Sequence, residues 1–290
     1  MDAAVSEQTR SSYNRAWKQF CSFCSLYNIP EDFPVLPRTV LRFVAHLFQR
    51  GYAASSIQSA VAAINSFHRL NDYPEPSNEA TKRALVGIKN LRPSGQGSLP
   101  IPIEMLDNML LHAQIVLLDP YISCLFKAML SLAFFALLRV GEFTFSKHNL
   151  LREDITNFSN SVSIRFKTFK YSQGRSFCHT VNVRERREVC PVHLLNNFLR
   201  LRGNEQGFLF IKADGRAPSR SEFLDWMRAV MIACGYNFSG FNTHSLRAGM
   251  ATHMALQGFS GEQIKLAGRW SSDAYKKYIR VFRVESRPFN

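Results

Sequence analysis

Negative charge is what this chain of 290 residues has least of: 22 acidic side chains face 36 lysines and arginines, a net charge of +14. A positive field of that size disfavours cationic partners and attracts polyanions, with nucleic acid the first candidate and an anionic membrane surface the second. A long apolar run is also lacking. The longest, around MLSLAFFALL, falls short of the roughly 20 apolar residues that a bilayer span requires, and the opening MDAAVSEQTR is no signal peptide. No membrane partner is expected. Cysteines are few and scattered, at 21, 24, 124, 178, 190 and 234. That pattern excludes a dense disulfide framework and suits reduced thiols inside a cell. Cys21 and Cys24 have the spacing of half a zinc knuckle, but no second pair follows, so two buried helix thiols are the expected reading and no metal is assigned. There is no internal repeat.

What is present is apolar residue in quantity, 46% of the chain, enough to fill the cores of two ordinary domains. The stretch LRPSGQGSLPIP, residues 91 to 102, replaces periodic apolar residues with Pro, Gly and Ser and reads as an exposed linker. The expected division is residues 1–91, a linker over 92–101, and residues 102–290. In the first part Tyr13, Trp17, Phe20, Cys24 and Tyr27 recur at helical spacing. So do Val40, Val44 and Leu47, then Ile57, Val61, Ile64 and His68, and finally Ala84, Ile88 and Leu91. That predicts a small helical bundle. Arg10, Arg15, Lys18, Arg42, Arg50, Arg69 and Lys82 lie on or beside those helices, where they form either a phosphate-binding surface or a solvated face.

The second part is predicted to open with a helix near Pro102 and to continue into an apolar helix ending at LLRVGEF. Two β-like runs follow, SVSIRFKTFK and RSFCHTVNV, joined by the polar turn YSQG. Helices then return, broken at GNEQGFLFIKADGRAPS and again near Gly258. The fold class is mainly α with a small antiparallel β-sheet.

Chemistry concentrates in THSLRAGMATHMALQGFSGEQIKLAGRWSSDAYKKYIR. His244 and Arg247 stand three apart in a helical pattern, so an imidazole and a guanidinium converge on one face, and Thr243 is placed to cap that helix. Arg269, Trp270, Tyr275 and Tyr278 follow. Far upstream, Arg139 ends an apolar helix with Glu142 three residues on, a spacing suited to orienting the guanidinium. His148, His179 and His253 read as surface or hydrogen-bonded histidines, and the phenylalanines as core.

In this order LLRVGE, a lysine in a β-hairpin, HSLR, GRW and YIR resemble the tyrosine recombinase, or phage integrase, family over nearly the whole chain. The wording GRWSSDAYKKYIR, with CPVHLL after the hairpin, is more similar to recombinases of eukaryotic mobile elements, the DIRS-like retrotransposons and Cryptons, than to bacterial Xer proteins. The resemblance implies a helical core-binding domain and a mixed α/β catalytic domain forming a clamp on DNA. It also implies a tyrosine that attacks a phosphodiester, leaving a 3′-phosphotyrosyl link and a free 5′-hydroxyl, with neither metal nor ATP nor other cofactor. Arg139 and Arg247 would hold the phosphoryl oxygens, His244 would bond the phosphate or take the tyrosyl proton, and a hairpin lysine would protonate the leaving oxygen. Lys167 is first choice for that lysine and Lys170 second.

The family count of nine residues from the position of Arg269 makes Tyr278 the nucleophile and Tyr275 its structural partner, either buried or resting on a neighbouring helix. The family has His or Trp where Arg269 stands, so either Trp270 supplies an indole N–H or Arg269 adds a third cation. Partners implied are double-stranded DNA and further copies of the chain, a dimer on one site and a tetramer in synapsis. Only IRVFRVESRPFN follows Tyr278, where many members exchange a further helix, so assembly through other surfaces is one expectation. A nuclear location is implied for a eukaryotic host and a cytoplasmic one otherwise. Relaxation of a single duplex in the manner of a type IB topoisomerase, and an inactive DNA-binding relic of a mobile element, are the competing readings.

Overall fold

A computed structural model describes residues 7–30, 33–92, 98–158, 160–167, 179–184, 186 and 189–279, without the side chains of residues 8 and 179–182. Two compact units divide the chain, residues 1–97 and 98–290. Lys170, the YSQG turn, Cys178, Arg280 and residues 93–97 of the Pro, Gly and Ser stretch lie outside the described residues.

The described residues of the first unit form four helices: α1 (Glu7–Leu26), α2 (Pro37–Gln49), α3 (Ala54–Leu70) and α4 (Glu79–Leu91). Proline opens α2, where its fixed φ suits the first turn, and the Asn78 side chain caps α4 by accepting from the Thr81 amide. Phe20, Phe23, Cys24, Val40, Phe43, Val44, Leu47, Ile57, Val61, Ile64 and Ile88 fill the core. Periodicity placed two residues inside that the structure leaves out: Tyr27 and Leu91 are exposed, because each sits at or just past a helix end where the buried stripe runs off the bundle. His68 is fully buried, accepting from the Val35 amide and bonding the Pro74 carbonyl, which ties two loops to α3.

The second unit begins with α5 (Ile103–Val116), α6 (Pro120–Phe135) and the single turn α7 (Val140–Phe143). A three-stranded antiparallel sheet follows, β1 (Ile155–Asn157), β2 (Ser161–Phe166) and β3 (His179–Arg184), in the order β1-β2-β3 with Ile164 opposite both Ile155 and Val181. Then come α8 (Pro191–Arg202), α9 (Arg220–Ala233), α10 (His244–Leu256) and α11 (Gly261–Ala267). The expected class, mainly α with a small antiparallel sheet, is the class observed. The strand β1 was not expected; three residues are too few to show alternation.

Helix α6 is the central post, apolar over most of its surface because α5, α7, α8 and α10 pack against it. A Cβ on Gly249 of α10 would lie 2.1 Å from the Ile101 carbonyl oxygen and 2.8 Å from the Phe134 ring. That close approach fixes α10, and with it Arg247, against the end of α6.

Candidate functional site

The site forms where α6 stops. The apolar helix ends at Phe135 rather than running on to Arg139, because Leu137 takes a left-handed φ of +48°. Only a few per cent of residues other than glycine do so, and Asn and Asp are the usual ones. Among the described residues Arg269, with φ +55°, is the other large side chain in that conformation. The two meet: the Leu137 carbonyl accepts from Arg247 Nη1 and, at 3.3 Å, from Arg269 Nη2. Backbone strain is thus concentrated where the guanidinium groups gather.

Arg139 sits at the start of α7. Glu142 Oε2 accepts from the Arg139 amide at 2.8 Å, Glu142 Oε1 from Arg139 Nη1 at 3.3 Å, and the Arg269 carbonyl from Arg139 Nη2 at 2.8 Å. Glu142, only 2% exposed, also pairs at 2.6 Å with Nη2 of Arg269, whose side chain is 1% exposed. Arg269 donates further to the Ala136 carbonyl, and its guanidinium carbon lies 3.8 Å from the centre of the Phe166 ring. Its head therefore points into the protein. Burial lowers its pKa, a loss that Glu142 opposes.

Arg247, on the second turn of α10, is 2% exposed. It donates to the Leu137 and Gly268 carbonyls and lies over the Trp270 ring, 4.4 Å from its centre. Burial first, then Arg139 and Arg269, bring its pKa down to about 9, so it is charged at neutral pH. Trp270 in turn packs on Tyr278, ring centres 5.5 Å apart, and on Tyr275 at 6.3 Å. The indole covers Gly268 so closely that a Cβ there would sit 1.7 Å from its Cζ3. Tyr278 is half-buried, its carbonyl accepting from Thr252 Oγ1 at 3.0 Å. Tyr275 is buried, with its hydroxyl against Gly261 at the start of α11.

The structure thus gathers Arg139, Arg247, Arg269, Trp270 and Tyr278 into one cluster. Two further candidates are tied to it through the chain. His244 is exposed at the first residue of α10, one turn from Arg247. Lys167 follows Phe166 and turns its ammonium onto Glu153 and, at 3.1 Å, Asp154, which raises its pKa through hydrogen bonding first to Glu153. Thr243 does not cap α10: its hydroxyl makes no cap bond and is buried without a partner. The cap comes from Asn242, whose Oδ1 accepts from the His244 amide at 2.8 Å, while Ser245 Oγ accepts from the Asn242 amide at 3.0 Å. The carboxamide reaches an amide two residues on, as asparagine does in turns.

Glu142 was legible three residues from Arg139; Phe166, Gly268 and the carbonyls of Leu137 and Gly268 were not. His148, set aside on sequence, lies within the field of Arg139 and Glu142, its pKa lowered by burial first and then by Lys147. In the first unit Arg10, Arg15, Lys18, Arg42, Arg50, Arg69 and Lys82 are all exposed, and Arg69 pairs with Glu75. Among the described residues no group of three His, Cys, Asp or Glu side chains is placed to hold a metal, and no helix is long and apolar enough to cross a membrane.

Chemically, two guanidinium groups share one buried carboxylate, and a third, that of Arg247, lies beside them bonded to two carbonyls. Uncompensated positive charge in such surroundings calls for an anion, and a phenol stands at its edge.

The fold is that of the tyrosine recombinases. The chain is similar to the recombinase Cre of Escherichia phage P1, 23% identical over 98% of this chain and 87% of Cre. It is also similar to the tyrosine recombinase XerD of Halalkalibacterium halodurans, 26% identical over 89% of this chain and 81% of XerD. Among solved structures, the XerH site-specific recombinase bound to palindromic difH substrate after cleavage superposes with a TM-score of 0.69 at 14% identity, over 92% of this chain and 75% of XerH. No family model matches the chain.

Proposed function

We propose that this chain is a site-specific DNA recombinase, or integrase, that cuts and rejoins duplex DNA through a 3′-phosphotyrosyl intermediate on Tyr278. The observation that carries this reading is the stack Arg247–Trp270–Tyr278 beside Arg139, which puts a phenol next to buried, fixed cations. In the reaction Tyr278 Oη attacks the scissile phosphorus and the bond to the 5′-oxygen breaks. Charge that builds on the non-bridging oxygens meets Arg139 and Arg247, preorganised by Glu142 and by the carbonyls of Leu137, Gly268 and Arg269. A free phenol has a pKa of about 10, so His244 serves as the acceptor of its proton, and Lys167 donates a proton to the leaving 5′-oxygen. Trp270 offers its indole N–H to the phosphate, while Arg269 supports Arg139 from within. The phosphotyrosyl bond conserves the energy of the phosphodiester, so a 5′-hydroxyl from a second duplex reverses the step without ATP, and the guanidinium groups take the place of a metal.

The same reading makes residues 1–91 a core-binding domain whose exposed Arg10, Arg15, Lys18, Arg42, Arg50, Arg69 and Lys82 follow the DNA backbone. Residues 92–101 are then a linker and 102–290 the catalytic domain, the two domains clamping the duplex. A dimer occupies one site and a tetramer joins two. The wording of GRWSSDAYKKYIR supports an origin in a eukaryotic mobile element, and a eukaryotic host would place the protein in the nucleus. The test is incubation with nicked suicide duplexes from the flanks of the gene's own locus, resolved on a denaturing gel. Wild type traps a protein-linked strand; Tyr278→Phe binds DNA and traps none. A covalent band that survives in Tyr278→Phe and vanishes in Tyr275→Phe would reverse the assignment.

A further inference from the structure

Strand β2 alternates along its length, with Val162, Ile164 and Phe166 directed into the core. Phe166 is its last residue, and Lys167, the next, takes the opposite face, where 43% of its side chain is exposed and its ammonium meets Glu153 and Asp154. The inward ring of Phe166 does not simply pack on aliphatic neighbours. It lies 3.8 Å from the guanidinium carbon of Arg269, a stacking distance, and the other edges of that guanidinium bond the Ala136 and Leu137 carbonyls and Glu142.

Phe166 is therefore the contact through which a guanidinium bound to the arginine cluster holds the end of the lysine-bearing strand. The path is short. Arg269 shares Glu142 with Arg139 and the Leu137 carbonyl with Arg247, so any shift of Phe166 relative to Arg269 changes where Lys167 begins relative to both arginines. Only a planar cation does this work: a guanidinium stacks on a ring face while its edge N–H groups stay bonded, whereas an ammonium cannot do both.

We propose that Phe166 and Arg269 are positioning residues that set the place of Lys167 relative to the phosphate-binding arginines, so that the strand end delivers a proton to the leaving oxygen. The inference rests on the recombinase reading. Neither residue touches the reacting atoms.

Its test separates proton delivery from general damage. In a substrate whose 5′-bridging oxygen is replaced by sulfur, the P–S bond breaks to release a thiolate, which leaves without a proton because a thiol has a pKa near about 8.5. Phe166→Leu keeps an apolar side chain but removes the π face. On the oxygen substrate its cleavage is expected to fall by about 10- to 100-fold, the scale of a small misplacement of a reacting group, with DNA binding unchanged. On the sulfur substrate it is expected to match wild type, as is Lys167→Ala, whereas Arg139→Ala is expected to stay slow on both. Should Phe166→Leu fold poorly, Phe166→Met, which fills the site without a π face, is read in the same way. Equal losses on oxygen and sulfur, or no loss on oxygen, in the variant that folds would overturn the inference while wild type still forms its adduct. Absence of any wild-type adduct on either substrate would remove the recombinase reading and this inference with it.

Discussion

Removal of the Glu142 charge is the perturbation whose cost follows most directly from the structure. Glu142 and Arg269 are 2% and 1% exposed and 2.6 Å apart, and the nearest other cations, Arg139 and Arg247, repel Arg269 rather than replace its partner. Glu142→Gln keeps the shape and leaves the Arg269 charge buried without a counter-charge, a change that costs about 3–5 kcal/mol when one member of a buried pair is deleted. For a unit of this size, residues 98–290, each kcal/mol moves the thermal midpoint by about 2–4 °C, so a fall of roughly 6–20 °C is expected. Arg269→Met is milder, since Glu142 still accepts from the Arg139 amide and guanidinium. The double variant has neither buried charge of the pair and is expected to be more stable than Glu142→Gln alone, the mark of coupling between the sites. Calorimetry or denaturant unfolding of the full chain measures all four proteins. A Glu142→Gln loss below about 1 kcal/mol, or strictly additive single and double variants, would refute the view that one carboxylate holds this cluster together.

Two further outcomes can be measured. Gly268→Ala has no backbone strain to contend with, since φ is −85°, but its Cβ would lie 1.7 Å from Trp270 Cζ3. The indole must leave Arg247 and Tyr278, at a cost of about 1–3 kcal/mol in stability and about 100-fold in cleavage; wild-type cleavage would show that the indole position is immaterial. Glu222 is held by Lys212 at 2.8 Å and then by Ser219, which lowers its carboxyl pKa to about 2. Because the folded value is depressed, the stabilisation is present above the ordinary carboxylate range and is lost as pH falls toward 2. Its side chain is 39% exposed, so Glu222→Gln is expected to cost about 1 kcal/mol at pH 6 after solvent screening and nothing near pH 2. Unfolding curves across that range that differ by a constant amount would contradict this.

The features legible in the sequence were those that depend on neighbours along the chain. Helical periodicity located Phe20, Val44 and Ile64 in one core, two β-like runs covered β2 and all but the last residue of β3, and Arg139 with Glu142 or His244 with Arg247 showed their spacing at once. What was not legible depends on contacts across the chain. The left-handed turn at Leu137 has no sequence signature, since leucine is among the residues least suited to it, and the cap of α10 shifted by one residue because Asn242 reaches further than Thr243.

Arg269 is the instructive case. From sequence it is one more cation beside the proposed nucleophile, and either it or Trp270 can face the phosphate. The choice turns on Glu142, which lies 127 residues away in sequence. A buried carboxylate needs a buried cation beside it; Arg139 keeps part of its guanidinium exposed and Arg247 is committed to two carbonyls and the Trp270 ring. Arg269 turns its guanidinium onto Glu142, aided by its left-handed backbone and the Phe166 ring, and the indole of Trp270 is left on the side of Tyr278. The indole at 270 therefore lies against the tyrosine ring, while the charge of Arg269 braces the cluster from beneath.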